Sequence, residues 1–244
     1  MKKIMIKIQY VGKNYVGWQN QKNGISVQQV LEENISKLLG EKISLIASGR
    51  TDAGVNAICQ VAHFETKSNF LVKNIAKAVN SFLPFDIRVL FAEEVDNNFH
   101  ARFSAKKKTY VYKLYQNDIL LPLKNNFVCQ IKENINLAKM KKFAKLFVGN
   151  HNFKAFCSAK TQTNNFIRKI YYIHIHNVFD EIHIEICGNG FLYNMVRMIV
   201  GALIEVGKGK LSKNEIKYML KTGDKIKFIK TMPPYALYLK NVEY

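Results

Sequence analysis

The order of the apolar segments in about the first hundred residues limits the fold of this chain more than any other feature. Strand-type segments have alternating or continuous apolar residues, and helix-type segments have apolar residues three or four positions apart. They alternate as β-α-β-β-α-β, at residues 2–10, 27–39, 43–47, 57–65, 71–83 and 87–94. This order is typical of the split β-α-β arrangement of a ferredoxin-like or RRM-like unit.

The first helix has its own start and stop signals in the sequence. Ser26 is a preferred N-cap residue, and Gln29 stands where a capping box needs a glutamine or glutamate. Apolar residues then keep helical spacing as far as Gly40, and glycine commonly ends helices. The pattern therefore predicts a helix over residues 27–39.

The second part of the chain again alternates helices with strands. The predicted strands lie at 110–115, 167–178, 181–187 and 237–242, and the predicted helices at 137–147, 194–206 and 212–220. No Gly/Ser-rich linker separates this part from the first. We therefore predict an α+β protein made of two halves that share a cleft, with residues 1–104 in the first half and 105–244 in the second.

The charge balance predicts a polyanionic partner. Lys and Arg number 37 against 18 Asp and Glu, which gives a formal net charge of +19. RNA, DNA or an anionic membrane surface would release counterions on binding, so an ordinary small-molecule enzyme is not the expectation. The N-terminal segment lacks the unbroken apolar core of a signal peptide, and Arg197 and Glu205 interrupt the most apolar stretch. We expect a cytoplasmic protein without a membrane span.

Neither disulfides nor a metal site are expected. The cysteines stand at positions 59, 129, 157 and 187 without a C-x-x-C pair, so we expect reduced core thiols. Asp52 has no acidic neighbour between Glu41 and Glu65, although divalent ions usually need several oxygen ligands. His174 and His176 lie on one strand face, but a third metal ligand is missing from the pattern, and a solvated face is the commoner explanation.

One loop combines a carboxylate with small residues. It joins two apolar strands and contains Arg50 two positions before Asp52. Gly49, Ala53 and Gly54 would let a bulky ligand approach the backbone, and Arg50 would hold Asp52 ionised. Asp52 could equally cap a turn while Arg50 is a surface cation. The residues of the loop leave both explanations open.

A second arginine lies inside the most apolar helix. The chain has five arginines among its 37 basic residues, and Arg197 is surrounded by apolar side chains. A buried guanidinium needs an anion, yet its helical neighbours three and four positions away, Asn194 among them, include no carboxylate. The partner of Arg197 must therefore come from elsewhere in the fold or be a phosphate, and Asp52 is the favoured candidate.

The tyrosine-rich strand that begins the second half follows three lysines. Tyr110 lies at its start, directly after the run at 106–108 and Thr109. Aromatic rings beside cationic groups are the combination that single-stranded or flipped bases use for stacking and backbone contacts. A half-buried strand also favours tyrosine for ordinary packing, so both explanations stay open.

Several of these segments together resemble the tRNA pseudouridine synthase A family. The loop from Gly49 to Val55 looks like the signature of the family. Other segments that match it in order are residues 17–19, 26–28, 99–105 with Tyr110 after them, 190–197 and 237–239. The resemblance covers essentially the whole chain, and departures from the usual pattern occur at Val11, Asn56 and Ala236.

The resemblance implies an isomerase that converts uridine to pseudouridine at positions 38, 39 and 40 of the tRNA anticodon stem-loop, without cofactor or metal. It implies two RRM-like halves in one extended, mainly antiparallel sheet flanked by helices, with a central basic cleft, and it implies a homodimer. By position, Asp52 is the catalytic aspartate, Tyr110 stacks on the target base, Arg197 pairs with the aspartate, and Arg50 contacts RNA or assists base flipping. The alternatives are a non-catalytic RNA-binding protein with paired RRM-like halves and a metal-dependent RNA hydrolase.

Overall fold

The computed structural model describes residues 1–159, 161 and 163–244, and it confirms the predicted α+β class. The strands are β1 (Lys2–Tyr10), β2 (Ile46–Ala47), β3 (Asn56–Thr66), β4 (Ile87–Val95), β5 (Lys107–Gln116), β6 (Cys129–Ile131), β7 (Gly149–Asn152), β8 (Ile167–Val178), β9 (Glu181–Gly188) and β10 (Leu237–Glu243). The helices are α1 (Val27–Leu39), α2 (Val72–Asn80), α3 (Leu137–Ala144), α4 (Met195–Gly207) and α5 (Lys213–Thr222).

The described residues group into two compact units. The first contains Met1–Lys106 together with Tyr238–Tyr244, and the second contains Lys107–Leu237. The grouping thus places most of β10 with the first unit rather than with the segment that precedes it. The halves 1–104 and 105–244 stay a prediction about the domains.

The sheet of the first unit has the strand order β4-β1-β3-β10, and β2 pairs with β3. The pairs of β1 with β3 and β4 are antiparallel, whereas β10 runs parallel to β3, with Tyr238 opposite Asn56. Antiparallel sheets commonly bury one face. Alternate residues of β1 are accordingly buried, among them Ile4, Ile6 and Ile8, each with no exposed surface.

Helix α1 of the first unit begins and ends where the sequence predicts. The hydroxyl of Ser26 accepts a hydrogen bond from the backbone N–H of Gln29, and Gly40 ends the helix with a φ of 69°. Only half of the expected capping box forms, because the side-chain amide of Gln29 donates to Glu33 instead. The cap is therefore retained, while the reciprocal bond is replaced by one within the helix.

The sheet of the second unit has the order β5-β9-β8-β7, all antiparallel, and β6 runs parallel to β5. Helix α4 is buried along its length except at Arg197 and Glu205, which are half-buried. Helix α5 begins with a full capping box, in which Ser212 and Glu215 exchange hydrogen bonds with each other's backbone. Buried apolar side chains between these helices and the sheet form the core of the unit.

The remaining predictions about special sites concern cysteines, histidines and membrane segments. All four cysteines are free thiols, and three of them are buried. His174 and His176 are exposed on β8, where His174 stacks on Tyr172 with ring centroids 4.4 Å apart. Over residues 1–159, 161 and 163–244 there is no group of three metal-binding side chains and no helix long and apolar enough to cross a membrane.

Candidate active-site residues in the two units

The residue directly before Asp52 in its loop is anchored in the core of the first unit. Thr51 is buried, and its hydroxyl shares a hydrogen bond of 2.7 Å with the hydroxyl of Tyr10. The carbonyl of Thr51 accepts from the backbone N–H of Trp18 at 3.1 Å. Burial raises the pKa of Tyr10 well above its usual range, so its hydroxyl stays protonated and neutral. The half-buried Asp52 thus directly follows a residue that a neutral hydrogen bond fixes in the core.

Gly12 and Gly17 allow the backbone of the segment after β1 to pass directly against the Asp52 turn. The N–H of Val55 donates to the carbonyl of Asp52 at 3.1 Å, and Gly54 supplies the positive φ of 77° inside this turn. A Cβ at Gly17, whose φ is 104°, would lie 3.0 Å from the carbonyl carbon of Asp52, and a Cβ at Gly12 would overlap the carbonyl oxygen of Val55. Only glycine fits such close approaches. The position of Asp52 is therefore set by backbone contacts from the segment after β1.

Buried polar side chains hold the two ends of the same loop. Gln60 has no exposed surface; its side-chain oxygen accepts from the hydroxyl of Ser48 at 2.7 Å, and its amide donates to the carbonyl of Gly49 at 2.9 Å. At the other end, the side-chain oxygen of Asn56 accepts from the N–H of Gly12 at 2.8 Å. Sequence reasoning missed Gln60, although a glutamine inside an apolar strand is a detectable signal. Asn56, noted as a departure from the family pattern, has a structural role here.

Arg50 is exposed and is oriented by a row of two glutamines. Its Nε donates to the side-chain oxygen of Gln19 at 3.2 Å, and the amide of Gln19 donates to Gln28 at 2.8 Å. Gln28 is buried in α1 and donates to the carbonyl of Leu45 at 3.1 Å. This series of hydrogen bonds therefore holds the guanidinium at the surface and connects it to the interior of the first unit. That Arg50 keeps Asp52 ionised stays a prediction.

Tyr110 is packed in β5 of the second unit, opposite Ile186 of β9. Its ring meets Phe191 edge to face, with centroids 5.1 Å apart and an interplanar angle of 86°. Gly188 leaves room for this pair, because a Cβ there would lie 3.1 Å from Cζ of Phe191. Only 8% of Tyr110 is exposed, which fits ordinary strand packing. Its role in stacking on a base stays a prediction.

Arg197 lies in the first turn of α4 and donates to neutral oxygens of its own unit. Its Nε donates to the carbonyl of Met232 at 2.5 Å, and its Nη1 donates to the side-chain oxygen of Asn194 at 2.7 Å. Asn194 has a φ of 63° and makes no side-chain cap bond to α4. Asparagine tolerates this left-handed conformation better than most residues. Asn194, which sequence reasoning treated only as a neighbour without charge, therefore orients the guanidinium.

The segment that contains Met232 packs tightly against α4. A Cβ at Gly201 would overlap the carbonyl oxygen of Lys230, and the N–H of Met232 donates to the carbonyl of Arg197 at 3.4 Å. Neither contact carries a sequence signal, because one partner in each is a backbone carbonyl. Within their own units, Arg50 and Asp52 thus share one loop of the first, and Tyr110 and Arg197 lie in the second.

Comparisons with known proteins identify the family to which the chain belongs. A family model described as tRNA pseudouridine synthase matches residues 6–104 and 143–244. The chain is 43% identical over 244 residues to tRNA pseudouridine synthase A of Thermoanaerobacter sp. (strain X514), with 100% of both chains covered. It is 44% identical over 245 residues to the protein of that name from Ruminiclostridium cellulolyticum, again with 100% of both covered. For the one from Wigglesworthia glossinidia brevipalpis the identity is 41%, over 100% of this chain and 92% of the relative. This chain therefore belongs to the tRNA pseudouridine synthase family, whose members are isomerases.

Proposed function

We propose that this chain isomerises uridine to pseudouridine at positions 38, 39 and 40 of the tRNA anticodon stem-loop, with Asp52 as the catalytic carboxylate and without a cofactor. The observation that carries the proposal is the Asp52 turn, closed by Gly54 and approached by Gly12 and Gly17. Such a turn presents a carboxylate from a loop that has little freedom to move. The net charge of +19 supports a polyanionic substrate.

The reaction needs one carboxylate and a site that retains the detached base. The N1–C1′ bond breaks, the uracil turns, and a C5–C1′ bond forms; the proton lost from C5 is balanced by one gained at N1. Asp52 either adds covalently to the sugar or base, or takes the 2′ proton so that a glycal forms. Both routes require the ionised form of Asp52 at the start. The product has the same atomic composition as the substrate, so no oxidant or reductant is needed.

The other site residues have roles in binding and positioning within this proposal. A base in a stem is stacked and paired, so it must be flipped out before reaction, and stacking on Tyr110 would lower the cost of flipping. The hydroxyl of Tyr110 would help to remove the C5 proton. Arg197 would pair with Asp52, and Arg50 would contact RNA. Action as a homodimer in the cytoplasm is part of the same proposal.

Release of tritium from C5-labelled uridine in tRNA tests the catalytic assignment. We expect release with the parent protein and none above background with Asp52→Asn. A matched control is Asp96→Asn, because Asp96 is an exposed aspartate whose carbonyl likewise accepts from the residue three positions later, at 2.9 Å. Circular dichroism checks that both variants fold. Undiminished release with Asp52→Asn would refute the assignment, and tight tRNA binding by a parent that releases no tritium would favour the non-catalytic RNA-binding alternative.

A further inference from the structure

The turn between β4 and β5 in the first unit displays an aromatic ring at the surface. Phe103 is 76% exposed, although burying a phenylalanine side chain is ordinarily favourable. Its ring lies against His100 with centroids 4.3 Å apart and an interplanar angle of 31°. The guanidinium carbon of Arg102 lies 5.6 Å from the centroid of the same ring. One face of the molecule thus combines an exposed ring with a cation.

The backbone beneath this ring is firmly held. Nδ1 of His100 accepts from the backbone N–H groups of Arg102 and Phe103, both at 3.2 Å. The N–H of His100 donates to the hydroxyl of Ser104 at 3.1 Å, and the N–H of Ser104 donates back to the carbonyl of His100 at 2.9 Å. The exposed ring therefore projects from a closed turn. Because the turn is already ordered, a ligand that stacks on the ring would lose little binding free energy to ordering of the turn.

The turn is also fixed to the interior of the unit. Ala101 is fully buried; its N–H donates to Nδ1 of His63 at 3.1 Å, and its carbonyl accepts from the hydroxyl of Tyr244 at 2.8 Å. Burial lowers the pKa of His63 to about 4, so near neutral pH this imidazole is uncharged and its Nδ1 can accept. The rings of His63 and His100 meet at 5.0 Å. A continuous series of rings thus leads from the core to Phe103.

A second exposed phenylalanine in the same unit shows what is particular to this turn. Phe85 is 97% exposed, and the guanidinium carbon of Arg88 lies 5.2 Å from its centroid. However, Nη1 of Arg88 donates to the carbonyls of Pro84 at 2.5 Å and Ile87 at 2.6 Å. In the described part of the chain, the side chain of Arg102 makes no such hydrogen bond. Arg102 is accordingly available for an anionic ligand, whereas Arg88 is used internally.

We propose that Arg102 and Phe103 form a platform for an unpaired nucleobase of the RNA substrate, with the base stacked on the ring of Phe103 and a neighbouring phosphate bound by Arg102. Every nucleobase has a π face, so stacking tolerates any sequence, and an arginine beside the ring serves the phosphate. The +19 charge favours RNA over a neutral partner at this surface. This inference rests on the proposed function, because it takes tRNA as the ligand.

The affinity of the full chain for an unmodified anticodon stem-loop RNA tests the platform. Loss of one stacked base corresponds to a weakening of about 5- to 100-fold, which we expect for Phe103→Ala and for Phe103→Leu. Phe103→Tyr keeps the aromatic face and should bind within about twofold of the parent. Phe85→Ala is the matched control, which should not change the affinity. All the substituted side chains are exposed, so the variants should fold like the parent.

Fluorescence gives a readout that a merely structural role would not change. The only tryptophan of the chain, Trp18, is 2% exposed, so the additional emission of Phe103→Trp reports on the platform. We expect the stem-loop to quench this emission, and a fully paired RNA duplex with the same number of nucleotides to quench it much less. Retained affinity in Phe103→Ala and Phe103→Leu, or equal quenching by both RNAs, would overturn the platform. So would a change in self-association, measured by sedimentation, without a change in RNA affinity.

The same RNA separates this inference from the proposed function. A parent that binds the stem-loop through Phe103 but releases no tritium supports the platform and refutes the isomerase. A parent that releases tritium, with Phe103→Ala equal to it in affinity, refutes the platform alone.

Discussion

In the loop of Asp52, neutral side chains of other residues hold the two ends of the backbone, whereas at the start of α4 the guanidinium of Arg197 itself bonds to its surroundings. Gln60 and Asn56 fix the two ends of the loop. Arg197 instead donates to Met232 and to the side chain of Asn194. The backbone near a candidate site residue can therefore be held by its neighbours, as near Asp52, or by the candidate residue itself, as near Arg197.

This comparison predicts its largest effects for substitutions of the two charged residues. Asp52→Asn should lower pseudouridine formation by about 10²- to 10⁴-fold, to the background of the assay, because a general base or nucleophile is removed while the bonds of Gln60 and Asn56 to the loop remain. Arg197→Lys should lower activity as well, but it should also lower the free energy of unfolding by about 1–3 kcal/mol, since one ammonium cannot replace the forked guanidinium that donates to both Met232 and Asn194. Tritium release and urea unfolding measure the two quantities. Equal losses of stability in both variants would remove the distinction.

The next effect concerns the glycines that allow close backbone contact in each region. Gly17→Ala would place a Cβ 2.6 Å from the carbonyl oxygen of Thr51 at a positive φ, and Gly201→Ala would push Lys230 away from α4. Each should cost about 3 kcal/mol of unfolding free energy, because backbone atoms must move. Gly40→Ala is the control: its φ is 69° but no atom lies within 4 Å of the new Cβ, so about 1 kcal/mol is expected. Urea unfolding of the three variants distinguishes crowding from strain.

Local signals in the sequence predicted the regular elements well. Ser26 and Gly40 directly flank α1, so the bounds of that helix needed no tertiary information. The short strands β6 and β7 were missed, because Gly149–Asn152 contains no apolar residue and three residues are too few to show a period. The parallel pairing of Tyr238 with Asn56 joins distant parts of the chain and has no local signal.

Only part of the candidate site was predictable, because some of its contacts involve backbone atoms or join residues that are distant in the sequence. Asp52 and Arg197 were recognisable because a lone carboxylate and a lone arginine are rare in their surroundings. The partners of Arg197 were not, since the carbonyl of Met232 could belong to any residue type. The role of Gln60 was overlooked because Ser48 and Gly49, the loop residues that it holds, lie eleven or more positions away along the chain.

A smaller effect is expected where one neutral side chain holds the Asp52 loop. Gln60→Leu would leave the hydroxyl of Ser48 and the carbonyl of Gly49 without the bonds that Gln60 makes in the core. A lost hydrogen bond ordinarily lowers the free energy of unfolding by about 0.5–1.5 kcal/mol, so the two together should cost about 1–3 kcal/mol. Activity per folded molecule should fall, because the start of the Asp52 loop is no longer fixed. Urea unfolding with tritium release measures both, and unchanged values would show that the loop is held without Gln60.

The smallest effect on activity is expected at Asn194, whose substitutions distinguish its two functions, the left-handed conformation and the bond to the guanidinium. Asn194→Gly keeps the positive φ of 63° accessible and removes only the bond, whereas Asn194→Ala also adds backbone strain. We expect losses of about 1.5 kcal/mol for glycine and about 1 kcal/mol more for alanine. Because Met232 still accepts from Nε in both variants, the guanidinium keeps this hydrogen bond. Activity should therefore fall only a few-fold, and a loss as large as that of Arg197→Lys would show that Asn194, rather than Met232, positions this arginine.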